Sequence, residues 1–113
     1  MRVLEGERTL TRIFVGDSDK WHGKPLETAL VERLRKDGFA GVTVLRGIVG
    51  FGAASVVHTA HVLDLSADLP VVLEVVEDEE HTTKLLAILD EMLTDSALVT
   101  LEKVRVVKYG LKN

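Results

Sequence analysis

Hydrophobic and polar positions alternate along some stretches of the chain and recur with helical spacing along others. Thr9–Gly16 (TLTRIFVG) is dominated by β-branched and aromatic residues and closes on a glycine, which predicts a strand. Asp17–Lys24 (DSDKWHGK) is polar and predicts a loop. Pro25 suits the first turn of a helix, where its missing N–H has no intrahelical acceptor to lose. Leu26, Ala29, Leu30 and Leu34 then mark one helical face, and Gly38 predicts the stop. Val42–Val49 predicts a second strand weakened by Gly47, and Gly50-Phe51-Gly52 a tightly turned corner. Ala53–Val57 fits a short helix or irregular chain, His58–Leu65 reads as extended, and Ser66–Pro70 as a turn. Val71–Val76 (VVLEVV) is the strongest strand signal. Asp78 can cap a second helix, with Glu79 and Glu80 favouring the positive end of its dipole. Leu85, Leu86, Ile88, Leu89, Met92 and Leu93 form its apolar stripe, which runs down to Asp95. Leu101–Tyr109 predicts the last strand, and Gly110–Asn113 a tail that frays or reaches a neighbour.

This order predicts an α+β domain spanning 1–113: a ferredoxin-like βαββαβ sandwich with an additional extended segment between the second and third main strands. Two helices cover one face of such a sheet, so the other should turn polar if it meets water. It does not. Val71, Leu73 and Val75 point one way, yet Val72 and Val76 share the opposite face with Glu74. In the last strand Val104 and Val106 share one face, and Arg105 and Val107 the other. Covering five such side chains by association would contribute about 8–15 kcal/mol before entropy and desolvation are subtracted. The pattern therefore predicts a homo-oligomer.

Composition narrows the classes. The 113 residues are 46% hydrophobic and 28% charged, which excludes global disorder. With no cysteine, the chain has no disulfide, thiol nucleophile or thiolate metal site. No apolar run approaches the ~18 residues of a membrane span, and Met1–Leu10 lacks a signal-peptide core, so the expectation is a cytoplasmic protein without membrane insertion. A net charge of -4, with no interleaving of basic and aromatic residues, argues against nucleic acid as a partner.

The sharpest local chemistry is Arg46-Gly47-Ile48-Val49-Gly50-Phe51-Gly52. Glycines weaken a strand but let backbone N–H groups approach a phosphate, and Arg46 adds charge-assisted hydrogen bonds. A bulge and turn without a ligand is the alternative. The spacing matches neither a dinucleotide fingerprint nor a phosphate-binding loop, and nothing calls for a resident cofactor. The loop Asp17–Lys24 offers an anion the start of the following helix, with Lys20 and Lys24 beside it, or is simply a solvated loop. His58 and His61 read as strand residues on opposite faces, which disfavours a joint metal site, and His81 reads as ordinary surface. Glu77, Asp78, Glu79 and Glu80 read as helix-start and surface charge, leaving Glu74 as the one strand carboxylate of interest. No serine, neither Ser55 nor Ser66, comes with an identifiable base.

The segments Ile13-Phe14-Val15-Gly16-Asp17-Ser18-Asp19, His22-Gly23-Lys24-Pro25-Leu26, Gly41 to Gly52 and Leu69 to Glu77 together resemble the DUF190 family, over roughly Thr9 to Tyr109. That family is related in fold to the PII signalling proteins. The resemblance implies a trimer, an intersubunit cleft for adenine nucleotides, and a loop after the second strand that reports to a partner protein. Gly47, Gly50 and Gly52 match the base of that loop, and Phe51 to Ala60 would be its counterpart. Two features depart from PII proteins. Thr94–Thr100 carries neither the glycine nor the lysine of their phosphate segment, and the only tyrosine is Tyr109. Arg105 and Lys108 could replace part of the phosphate contacts.

The leading expectation is a PII-like, ligand-sensing oligomer that binds an adenine nucleotide or other small anion near Lys20, Lys24, Arg46, Gly47, Gly50, Phe51, Gly52, Arg105 and Lys108. One alternative is an interaction module with no small ligand. The other is an enzyme acting on a phosphorylated metabolite, for which no convergent acid and base are visible.

Overall fold

The computed structural model describes residues 2–52, 68–94 and 96–110. Its centre is β1 (Gly6–Gly16), which pairs antiparallel on both sides: with β5 (Pro70–Glu77) from Thr9↔Glu77 to Gly16↔Pro70, and with β6 (Leu98–Val106) from Gly6↔Val106 to Phe14↔Leu98. The short β4 (Thr43–Arg46) adds to the far side of β5, giving the order β4-β5-β1-β6. A small hairpin, β2 (Lys20–Trp21) and β3 (Lys24–Pro25), precedes α1 (Leu26–Lys36), and α2 (Glu79–Met92) links β5 to β6. The four main strands and two helices form the ferredoxin-like βαββαβ plan.

Strand parity decides what is inside. Ile13 and Val15 of β1 and Val71, Leu73 and Val75 of β5 share one face and pack with Leu26, Leu30 and Leu34 of α1 and Leu85, Ile88, Leu89 and Met92 of α2. α1 starts at Leu26 directly after Pro25, and Gly38 closes its end with φ +81, in the left-handed region. Asp78 caps α2, its carboxylate accepting from the His81 N–H at 2.7 Å. No helix among the described residues is long and apolar enough to cross a membrane.

Several element limits differ from the expectation. β1 begins at Gly6, because β6 pairs with it along its whole length. β4 ends at Arg46 instead of continuing to Val49: the Gly47 N–H still donates in register to the Pro70 carbonyl at 2.7 Å, but proline has no N–H to return the bond. β6 starts three residues early and stops at Val106, leaving Val107 85% exposed. Its limits follow its register on β1, which its own valine pattern does not reveal. Lastly, the polar stretch before α1 contains the β2–β3 hairpin. The expected extended segment His58–Leu65, the stretch Ala53–Val57 and the histidines His58 and His61 lie outside the described residues, as do Ser55 and Ser66.

Glu77 is the main correction: it is not surface charge. It extends the parity of Val71, Leu73 and Val75 and is only 1% exposed. Arg2 grips it with both guanidinium nitrogens, at 2.9 and 2.7 Å, and the Ala40 N–H donates to it at 2.6 Å. Arg2 also reaches Asp78 and the Gly38 carbonyl. His81 likewise is not ordinary surface, since Nδ1 lies 2.9 Å from Asp78 and its ring meets Phe39 edge-on. The Tyr109 hydroxyl donates to the Ala40 carbonyl, and the Leu4 N–H donates to the Tyr109 carbonyl. One buried carboxylate thus ties the N-terminal segment and the α1–β4 connection to the end of β5, and Tyr109 joins the C-terminal segment to both.

Burial pushes the Glu77 carboxyl up, but hydrogen bonds from Arg2 and the Ala40 N–H, with the charge of Arg2, hold it below its usual range. A depressed folded value makes this stabilisation present above the ordinary glutamate range and lost as pH falls through the folded value. Glu77→Gln should therefore cost about 2 kcal/mol at pH 7. In urea titrations the gap from the parent protein should narrow steadily on acidification. An undiminished gap in acid would remove the ionised carboxylate as its source.

Candidate functional site

The glycine turn is shaped by Pro70. A Cβ added to Gly47 would lie 2.6 Å from Pro70 Cγ and 3.2 Å from its carbonyl oxygen, and one added to Gly50 would lie 3.1 Å from Cγ. Both positions need glycine because the turn folds directly over the proline ring. Gly52 has open space around it. Between and after these glycines, Ile48 and Phe51 project outward, 79% and 75% exposed. The turn therefore presents apolar side chains on a tightly seated backbone.

Arg46, at its entrance, is held by acids. It pairs with Asp17 just beyond β1 and lies 3.7 Å from Glu27 in the first turn of α1. The hydrogen bond and charge of Asp17 raise its pKa further. Glu27 is largely buried, and its second carboxylate oxygen has no partner among the described residues. The neighbouring backbone donors are also engaged. Gly16 N–H donates to Asp19 at 2.9 Å, Ser18 N–H to Asp68 at 2.8 Å, and Leu26 N–H to the Asp19 carbonyl at 2.9 Å. The protein's own oxygens thus occupy the Gly16 and Ser18 N–H groups at the exit of β1 and the first N–H of α1, that of Leu26.

The hairpin carries the two lysines. His22 (φ 47) and Gly23 (φ 84) are both left-handed, the backbone demanded by a two-residue turn joining twisted strands. The His22 ring stacks on Trp21 at 4.2 Å. Lys24 pairs with Glu32 at 3.0 Å, while Lys20 is exposed.

The remaining candidates lie elsewhere. Arg105 sits opposite Glu7 on β6, and Lys108 follows the end of that strand, whereas the glycine turn adjoins Pro70, the partner of Gly16. The length of β1, about 30 Å at ~3.3 Å per residue, separates the two groups within one chain. Arg46, Gly47, Gly50, Phe51 and Gly52 are together. Lys20 and Lys24 are on the nearby hairpin, and Arg105 and Lys108 are at the opposite end.

The sheet face away from the helices is mixed. Register aligns Leu45, Val72, Phe14 and Leu98 as an apolar row across all four strands. Its outer members, Leu45 and Leu98, are 49% and 56% exposed. In the adjoining row Arg12 bonds Glu74 at 2.9 Å and also pairs with Glu102, bridging three strands. These acceptors raise its pKa, the Glu74 hydrogen bond most of all. Sequence reading singled out Glu74 but missed Arg12 and Glu102. Alternation places Arg12 opposite Ile13 and Val15, but only the strand register identifies its partners.

Known proteins match nearly the whole chain. The model of the DUF190 family, described as Uncharacterized ACR, matches residues 8–106. A UPF0166 protein of Aquifex aeolicus (strain VF5) is 35% identical over 108 residues, covering 95% of this chain and 98% of its own. The fold is similar to that of CPII from Thiomonas intermedia K12, a nitrogen regulatory PII-like protein. Its structure with ADP, AMP and acetate superposes with TM-score 0.62 at 15% identity, over 94% of this chain and 92% of that one. Its apo form gives 0.61 at 14% identity, over 93% and 97%.

Gly47→Ala should destabilise the domain by about 1–3 kcal/mol through overpacking against Pro70. Adding Pro70→Ala should recover part of that loss in thermal or urea unfolding. Equal losses with and without the proline would show that the ring does not set the glycine requirement.

Proposed function

The chain belongs to the DUF190 family, and from that premise we propose that it works as a PII-like sensing oligomer. A small anion, with an adenine nucleotide as the first choice, binds between subunits beside Arg46 and the Gly47–Gly52 turn. The segment following β4 then presents the bound state to a protein partner. A homotrimer is the assembly that fits this fold.

The observation that carries this reading is the split arrangement of the candidate cations. Arg46 and the glycine turn sit at one end of the sheet, Arg105 and Lys108 at the other. Only a second copy can bring Arg105 and Lys108 to the glycine turn. The apolar row on the sheet's open face gives copies a reason to associate. CPII, of similar fold, has been solved with ADP and AMP. Exposed Ile48 and Phe51 offer the partner an apolar contact that a change in the turn would move.

In this mechanism the ligand competes with Asp17 for Arg46. An anion that takes the guanidinium frees the turn entrance from the β1 exit and thereby couples binding to the shape of the following segment. Titration calorimetry with ATP, ADP, AMP and cyclic nucleotides tests this directly. At least one should bind more tightly than about 1 mM, and Arg46→Ala should weaken it about tenfold. No heat with any of them contradicts the nucleotide reading, and unchanged affinity in Arg46→Ala removes that residue from the site.

A further inference from the structure

Asp17 and Glu27 hold Arg46 on different terms. Asp17 is 36% exposed and hydrogen-bonds the guanidinium, whereas Glu27 is only 12% exposed and its Oε1 lies 3.7 Å away, beyond hydrogen-bond reach. The other oxygen of Glu27, Oε2, is buried and accepts no hydrogen bond among the described residues. Local backbone does not make up the deficit. Pro25 has no N–H, and the Leu26 N–H is spent on the Asp19 carbonyl. Position in the first turn of α1 favours a negative charge, but a carboxylate shut off from water needs donors as well. With Oε2 unserved, whatever faces Oε1 is the main support of the whole group.

The two acids therefore respond differently when an anion takes the guanidinium. Asp17 can turn to water. Glu27 cannot, and among the described residues Arg46 is its one ion-pair partner. A buried carboxylate stripped of its counter-ion is strongly unfavourable. A bare anion binds at Arg46 against that penalty and against the repulsion of Glu27 itself. A ligand with a hydroxyl close to its anionic group escapes it, because the anion goes to Arg46 and the hydroxyl donates to Oε1. Acceptance of a ribose hydroxyl by an acidic side chain is a general device of nucleotide sites.

We infer that Glu27 is the specificity-determining residue of the Arg46 site: it selects hydroxylated anions, and a ribose hydroxyl is the donor it accepts. The inference rests on the reading of Arg46 as the anchor of the ligand. It adds the reason a nucleotide binds there in preference to a bare phosphate chain. Arg46 supplies attraction common to all anions, and Glu27 supplies the choice among them.

Titration calorimetry of the full chain with ADP and with its 2′,3′-dideoxy analogue tests this, since the two share the base and the anionic groups. The parent protein should bind ADP about tenfold more tightly than the analogue. Glu27→Ala should abolish that preference and should bind the analogue more tightly than the parent does, because no stranded carboxylate remains. Damage to the fold would weaken both ligands, so it cannot produce that gain. Glu27→Gln keeps the shape without the charge. It should also bind the analogue more tightly than the parent does, which keeps the test decisive if the alanine variant does not fold. Equal affinity of the parent for the two ligands overturns the inference and leaves the nucleotide reading standing. So does the absence of any gain for the analogue in both variants. Binding of neither ligand to the parent overturns the inference together with the nucleotide reading.

Discussion

Two helices cover one face of a four-stranded sheet, and the other face is not built for water. Everything functional follows from that mismatch. The covered face is almost wholly aliphatic, so α1 and α2 are fully used there. The open face carries the row Leu45, Val72, Phe14 and Leu98 beside the Arg12–Glu74–Glu102 bridge. Exposed apolar residues scattered singly need no explanation, but a row spanning every strand does. The charged bridge beside it sets direction: a covering surface must match an apolar band next to a polar one, which favours a particular register over indiscriminate sticking.

Much of the fold was legible in the sequence because periodicity records burial. Val71, Leu73 and Val75 announced the inner face of β5, and Leu26, Leu30 and Leu34 that of α1. Strand ends were less legible because partners define them. β6 begins at Leu98, opposite Phe14, and β4 stops at Arg46 because the next partner, Pro70, has no N–H to complete the pair with Gly47. Glu77 was misread because a carboxylate among Asp78, Glu79 and Glu80 looks solvated. Its parity with Val75 was the available signal, and Arg2, far away in sequence, supplied the charge that lets it be buried.

The candidate site was legible as chemistry and less so as geometry. Glycines and an arginine marked the turn correctly as a special backbone. The sequence could not tell that Asp17 and Glu27 already hold Arg46, or that Asp19 and Asp68 fill nearby N–H groups. Nor could it tell that Arg105 and Lys108 sit a full strand length from the turn. In the mechanism we propose, these facts replace a vacant anion cradle with a competition, in which a ligand displaces an internal carboxylate and gains its remaining contacts from another copy.

The central claim is that copies of the chain cover one another's open sheet face. Sedimentation equilibrium from low to high micromolar concentration measures it most directly, in the parent protein and in a variant carrying Phe14→Asp. A mass that is a multiple of the 12.4 kDa chain, collapsing toward that value in the folded variant, is the result this account predicts. A parent protein that stays at the single-chain mass across the whole range would contradict it.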